Sequence, residues 1–154
     1  MKTVAVSQRV DQYLERSETQ DALDQRLSSF LLDSGYLPVP VPNFLGHFIV
    51  DWMQRISPHA VLLSGGNNIG DFVCRDDTEL ALINYAKDYR LPLLGICHGM
   101  QMLGFSHGAP LIPVTGHVCT RHHVYGHIVA NVNSFHDFAL ATCPTNFYVL
   151  ARSP

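Results

Sequence analysis

Apolar positions along this chain change their spacing several times, and each change predicts an element. Thr3 to Ser7 is a short apolar, β-branched run and reads as a first strand. From about Gln20 to Ser34, Ala22, Leu23, Leu27, Phe30 and Leu31 recur at helical spacing with polar residues between them, and Gly35 closes that helix. Tyr36 to Val41 is extended, with prolines at 38, 40 and 42 that place it at a sheet edge or a strand end. Phe44 to Ile56 reads as a second helix, and His59 to Ser64 as a buried strand running into Gly65-Gly66. Asp76 to Tyr89 is a third helix, opened by the acidic pair Asp76-Asp77 that suits a helix N-terminus. Leu91 to Ile96 is a continuous apolar run of strand length, and Cys97 to Phe105 is helical. Strands and helices alternating at this rhythm predict a parallel sheet with right-handed crossovers. After Leu111 the chain turns rich in Val, His and Asn, and antiparallel or edge strands are expected over His122 to Val132 and Phe147 to Ala151. There is no internal repeat, linker or low-complexity tract.

Composition narrows this picture. A length of 154 residues predicts one domain over 1–154 with a sizeable core. Hydrophobic residues make up 47% and charged residues 15%, with mean hydropathy +0.08, as in α/β proteins whose sheet is covered on both faces. The formal charge of −3 gives no electrostatic reason to expect nucleic acid or an anionic membrane as partner. No apolar stretch is long enough to span a bilayer, and the apolar run at the start is too short for a signal peptide, so the expected compartment is the cytoplasm. Cys74, Cys97, Cys119 and Cys143 are widely spaced with no Cys-x-x-Cys, which predicts free thiols and raises the question of which one reacts.

The answer lies at Leu93-Leu94-Gly95-Ile96-Cys97-His98-Gly99-Met100-Gln101, where an apolar strand runs through Gly-x-Cys-x-Gly into a helix. This is the thiol counterpart of the Gly-x-Ser-x-Gly nucleophile elbow. A nucleophile on such a tight turn needs glycine on either side, because side chains at 95 and 99 would collide with neighbouring elements. The following helix directs its N-terminus at the sulfur, an end that favours negative charge. The same geometry sets the backbone N–H of His98 to donate to an oxyanion.

Leu-Gly-Ile-Cys-His-Gly-Met-Gln-Met-Leu resembles the nucleophile signature of class I glutamine amidotransferases, and Leu62-Leu63-Ser64-Gly65-Gly66-Asn67 resembles their oxyanion-strand Gly-Gly motif. Val132-Asn133-Ser134-Phe135-His136 is similar to a pocket motif of the γ-glutamyl hydrolase branch, the peptidase C26 group. Ser7-Gln8-Arg9-Val10, Asp21-Ala22-Leu23-Asp24 and Pro42-Asn43 are similar to one sub-branch, the γ-glutamyl-CDP-amidate hydrolases. The resemblance runs over nearly the whole chain. It implies a flavodoxin-like three-layer α/β/α sandwich with a mostly parallel sheet. It also implies cleavage of the γ-amide of glutamine or a γ-glutamyl conjugate through a thioester at Cys97, with no cofactor. By the same resemblance Gly66 and His98 supply the oxyanion-hole N–H groups, Gln101 helps hold the glutamyl group, and Ser134 and His136 line the pocket. The implied partner is a small γ-glutamyl substrate, with a second copy of the chain or a synthase as possible protein partners. Such a fold has two alternative uses: a non-catalytic binding or regulatory domain, or the ammonia-donating component of a synthase.

One departure stands out. These enzymes complete their triad with a His-x-Glu motif near the C-terminal end of the domain, and no His-x-Glu occurs in this sequence. The general base is therefore unassigned. Truncation, a substitute histidine or loss of activity would each account for it, and the strand-like end of the chain favours an incomplete C-terminus. Separately, His117, Cys119, His122, His123 and His127 crowd one segment. Their spacing matches no familiar zinc module, and on an extended strand His123 and His127 share one face with His122 on the other, so no metal is expected.

Overall fold

The computed structural model describes residues 1–153, which form two compact units, Met1–Met102 and the part from Leu103 onward. In the first unit β1 (Lys2–Val6) is followed by an antiparallel ribbon of β2 (Arg9–Tyr13) and β3 (Glu18–Ala22), then α1 (Gln25–Asp33) and β4 (Tyr36–Pro40). Next come a 3₁₀ turn at Gly46–Phe48, α2 (Ile49–Ile56), β5 (Ala60–Leu63), α3 (Val73–Asp88), β6 (Leu93–Gly95) and the start of α4 (His98–Ser106). The four strands β4-β1-β5-β6 lie in that order and all pair in parallel, Val4 opposite Pro38 and Ala60, and Val61 opposite Leu93. This is the flavodoxin-like order, in which the crossovers leave β1 toward opposite sides and the carboxyl ends of β1 and β5 frame a crevice.

Strand alternation sorts the core. Val4, Val6 and Leu62 face Leu31, Leu27 and Leu23 of the α1 side. Ala5, Val61 and Leu63 are turned to the opposite face, where α3 packs on β5 and α2 packs on α3. Met53, Leu82 and Ala86 are buried on those two helices.

Several sequence expectations are corrected here. The run from Gln20 begins as strand, because β3 pairs with β2 through Arg9–Ala22 and Tyr13–Glu18, and the helix waits for Asp24, whose carboxylate accepts the Arg26 N–H at 2.8 Å. The second helix is shorter than expected, with a 3₁₀ turn before it, and the third begins at Val73 rather than Asp76. β4, with its prolines, lies at the sheet edge as expected.

The second unit is antiparallel. β7 (Leu111–Pro113) pairs with β10 (Phe138–Leu140), and β8 (Thr120–Gly126) lies between β9 (Ala130–Ser134) and β11 (Ala151–Arg152). The antiparallel or edge strands expected over His122 to Val132 form a hairpin with its bend at 127–129, and only Ala151 of the segment Phe147 to Ala151 is strand.

Candidate active site

Three chain segments leave the carboxyl ends of the parallel sheet together. From β1, Ser7 is fully buried. Its N–H bonds the Leu62 carbonyl at 2.9 Å, and its Oγ accepts the Ser64 N–H at 2.8 Å and donates to Glu79 Oε1 at 2.6 Å. From β5 comes Ser64-Gly65-Gly66-Asn67, and from β6 the turn at Cys97.

Cys97 has φ +53°, a left-handed conformation unfavourable for a side chain, and it is exposed between β6 and α4. The turn is tight enough to explain its glycines. A Cβ on Gly95 would lie 2.6 Å from the backbone of Gly99, and one on Gly99 would lie 2.3 Å from the Leu63 carbonyl oxygen. The Gly99 N–H donates to Ser64 O at 3.1 Å, and the Gln101 N–H to Cys97 O at 3.0 Å, so the elbow is tied both to β5 and to its own helix. Gly65 stands against Cys97, with its Cβ position 3.5 Å from Cys97 Cβ.

The Gly-Gly loop is held from behind by one arginine. Arg75 on α3 donates Nη2 to Ser64 O (2.9 Å) and Gly65 O (3.3 Å), and Nη1 to Gly66 O and Asn67 Oδ1 (2.9 Å). In a trans peptide the N–H points opposite to the carbonyl it adjoins. Turning the Gly65 carbonyl toward Arg75 therefore turns the Gly66 N–H away from it. The N–H of His98, first residue of α4, belongs to the four helix-start donors without an intrahelical acceptor. Asn67 fixes the far end of the loop by a two-point bond to the Val10 backbone, at 2.9 and 3.0 Å.

Arg75 is itself neutralised by Glu79, one turn along α3, at 3.2 Å, and both side chains are sealed from solvent. Glu79 Oε2 also lies 3.0 Å from His98 Nε2, while His98 Nδ1 sits 3.2 Å from Asn67 O. Both nitrogens of His98 thus face the loop and α3, in a ring 1% exposed, and its imidazole is spoken for. Burial pushes the Glu79 carboxyl up, but His98, Arg75 and Ser7 outweigh it and hold Glu79 below the ordinary carboxylate range. Burial lowers Arg75, with Glu79 opposing.

Of the residues expected in the site, Cys97, Gly66, His98 and Gln101 lie in the first unit; Cys97 and His98 are consecutive at the elbow, and Gly66 follows the Gly65 that stands against Cys97. Ser134 and His136 lie in the second unit. There Ser134 Oγ donates to His117 O at 2.6 Å and the His136 N–H to the same carbonyl at 3.3 Å. Arg9, beside Gly66 through its aliphatic stem, has its guanidinium engaged by Asp11 at 2.9 and 3.1 Å. Sequence reasoning left Ser7 and Asn67 without a role inside their motifs and missed Arg75 and Glu79. The available signal was Arg-x-x-x-Glu at i, i+4, one loop after a Gly-Gly turn, which puts a cation and its counter-ion on the helix face behind that turn.

The histidine segment also resolves differently. One ring nitrogen each of His117, His122 and His136 lies within 4.8 Å of the others, all three residues half-buried. His123 is on the exposed face of β8, and Cys119 is exposed. Burial first, then His122 and His136, hold His117 below the ordinary histidine range.

The sheet order is flavodoxin-like, and the turn at Cys97 follows the carboxyl end of β6. The Peptidase C26 family model matches residues 3–127, and the chain belongs to that family. It is 32% identical over 87 residues to the gamma-glutamyl-CDP-amidate hydrolase of Campylobacter jejuni subsp. jejuni serotype O:2, a match covering 53% of this chain and 44% of that protein's length. In fold it is similar to a Thermoplasma acidophilum protein described as one component of a GMP synthase (TM-score 0.73, 21% identity, 99% of this chain and 73% of that one). It is similar also to a glutamine amidotransferase of Thermotoga maritima (TM-score 0.68, 16% identity, 99% and 67%). No helix among the described residues is long and apolar enough to cross a membrane.

Proposed function

We propose that this chain hydrolyses γ-glutamyl amide bonds through a Cys97 thioester. The observation that carries the proposal is the exposed Cys97 at positive φ, set against a Gly-Gly loop whose carbonyls are drawn back by Arg75. In the first half-reaction Cys97 Sγ bonds to the γ-carbonyl carbon, and the oxygen takes the negative charge between the N–H groups of Gly66 and His98. Collapse of that intermediate breaks the C–N bond, and the amine leaves with the proton that the Cys97 thiol gave up. Water then adds to the thioester carbonyl and the C–S bond breaks, releasing the γ-carboxylate and the free thiol. Gln101, on α4 one turn after Cys97, is assigned to holding the glutamyl end. The buried imidazole of His98 is committed to Asn67 and Glu79 and is not the general base. The family membership and the hydrolase relative support a γ-glutamyl compound as substrate.

The test is labelling with a glutamine-like electrophile followed by peptide mapping, with γ-glutamyl and α-glutamyl compounds compared for binding to the Cys97→Ala variant. Modification confined to Cys97 and preference for the γ-linked compound are expected. Labelling of Cys74, Cys119 or Cys143 first, or equal affinity for the two linkages, would contradict the proposal.

A further inference from the structure

The second unit gathers three imidazoles by means of its backbone. His122 is on β8, opposite Val132 of β9 and on the half-buried face that it shares with Thr120 and Val124. His136 follows β9 by two residues. His117 precedes β8, and its carbonyl is gripped by Ser134 Oγ and the His136 N–H. Ring centroids of His117 lie 4.5 Å from His122 and 4.9 Å from His136, tilted by 52° and 50°. Such tilts do not stack the rings.

The nitrogens of this trio lack partners that a folded interior ordinarily supplies. His117 Nδ1 and His122 Nε2 are shut off from solvent and have no hydrogen-bond partner among the described residues. His136 Nδ1 lies 2.9 Å from the Phe138 carbonyl oxygen. A carbonyl can only accept, so the proton is on Nδ1, and in the neutral ring Nε2 carries a lone pair. A backbone acceptor that fixes the tautomer and orientation of a histidine in this way is the outer support that metal-ligating histidines usually have.

We propose that His117, His122 and His136 form a binding site for a divalent first-row transition ion, with Zn²⁺ as the fitting case. Three neutral imidazoles without a carboxylate suit Zn²⁺ and its neighbours and do not suit Ca²⁺ or Mg²⁺, which take oxygen ligands. Nitrogens at about 2.05 Å on a tetrahedral ion stand about 3.4 Å apart. From within 4.8 Å, the trio closes by roughly 1.4 Å at most, within reach of side-chain rotations. Three protein ligands leave the fourth position to water or a small anion. The site stands on the second unit alone and does not depend on acyl transfer at Cys97.

Calorimetric titration of the full chain with ZnSO₄, repeated on the Cys97→Ala variant to remove a competing thiolate, gives the stoichiometry. X-ray absorption of the Zn²⁺-loaded chain gives the ligands. One equivalent, a nitrogen-only first shell with imidazole scattering, and affinity reduced more than about 100-fold in each of His117→Gln, His122→Gln and His136→Gln are expected, because losing a ligand costs at least as much as losing its support. His123→Gln, altered on the exposed face of the same strand, retains binding. Absence of binding, sulfur in the first shell, or binding unchanged in the three variants would overturn the site. Should His122→Gln fail to fold by circular dichroism, His136→Gln and the absorption spectrum decide the matter.

Discussion

Arg75 Nη2 and Glu79 Oε1 meet at 3.2 Å one turn apart on α3, with side chains 1% and 0% exposed, and nearly everything that positions the Gly-Gly loop passes through that pair. The arginine reaches four oxygens of Ser64 to Asn67, while the glutamate reaches Ser7 and His98. A helix behind the loop thus joins the ends of β1, β5 and β6 into one polar assembly.

Breaking one partner of a buried ion pair leaves an uncompensated charge, at a cost of about 3–5 kcal/mol, whereas removing both is far milder. Glu79→Ala and Arg75→Ala are each expected to destabilise by about that amount, and the double variant by clearly less than their sum. Urea unfolding of the four species measures the coupling. Additive losses would mean that the pair is not coupled as the contacts indicate.

Acid should act through the same carboxylate. Glu79 is held below its ordinary value, about 4.3. The unfolded chain therefore binds its proton first as the pH falls. The stabilisation from ionised Glu79 is complete above that ordinary value and is lost as pH drops through the lower folded one. Stability measured by denaturant at stepped pH is expected to decline below about pH 4.3, with a shallower decline in Glu79→Gln. Equal slopes would remove Glu79 as the cause.

The two elbow-facing glycines differ sharply. A Cβ at Gly99 would sit 2.3 Å from the Leu63 carbonyl oxygen, which no rotamer can relieve, whereas one at Gly65 meets Cys97 Cβ at 3.5 Å, an ordinary contact. Gly99→Ala is expected to destabilise by about 1–3 kcal/mol or more, as overpacking against backbone does, and to lose labelling of Cys97. Gly65→Ala is expected to keep its stability. Thermal melts and electrophile labelling of the two variants check the contrast, and similar behaviour would contradict the geometry of the turn.

Much of this arrangement is legible in the residues, because the signals are local. A strand of Leu93-Leu94 ending in Gly-x-Cys-x-Gly can hardly do other than turn into a helix, and β4 announces its edge position through Pro38 and Pro40. Features resting on distant pairing are hidden. The helical spacing of Ala22 is overridden by pairing of β3 with β2, and Leu23 lies between that strand and α1. The bend of the hairpin β8–β9 is not placed by the sequence, since His127 to Val129 carries no glycine pair or proline to mark it. His136 joins His117 and His122 only because β9 folds back on β8, and spacing alone groups His123, His127 and Cys119 with them instead. Arg75 reads as leading into a helix that in fact already contains it.

The sequence has no His-x-Glu, and the imidazole nearest to Cys97 along the chain, His98, is buried against Glu79 and Asn67. Acylation and deacylation make unequal demands in that situation. On the proposed reading Cys97, exposed and one residue ahead of α4, attacks an activated γ-glutamyl compound to form the thioester. Deacylation requires water to be deprotonated at the thioester, and absence of a positioned base typically costs about 10²–10⁴-fold. The chain is therefore expected to show a burst of one equivalent of leaving group, followed by slow turnover, with a γ-glutamyl adduct on Cys97 visible by mass spectrometry. Added imidazole, acting as a free base, should accelerate the slow phase and leave the burst amplitude unchanged. Rapid steady turnover that imidazole does not alter would show that a histidine already in the chain serves as the base, and the His136→Gln variant would then identify or eliminate the first candidate.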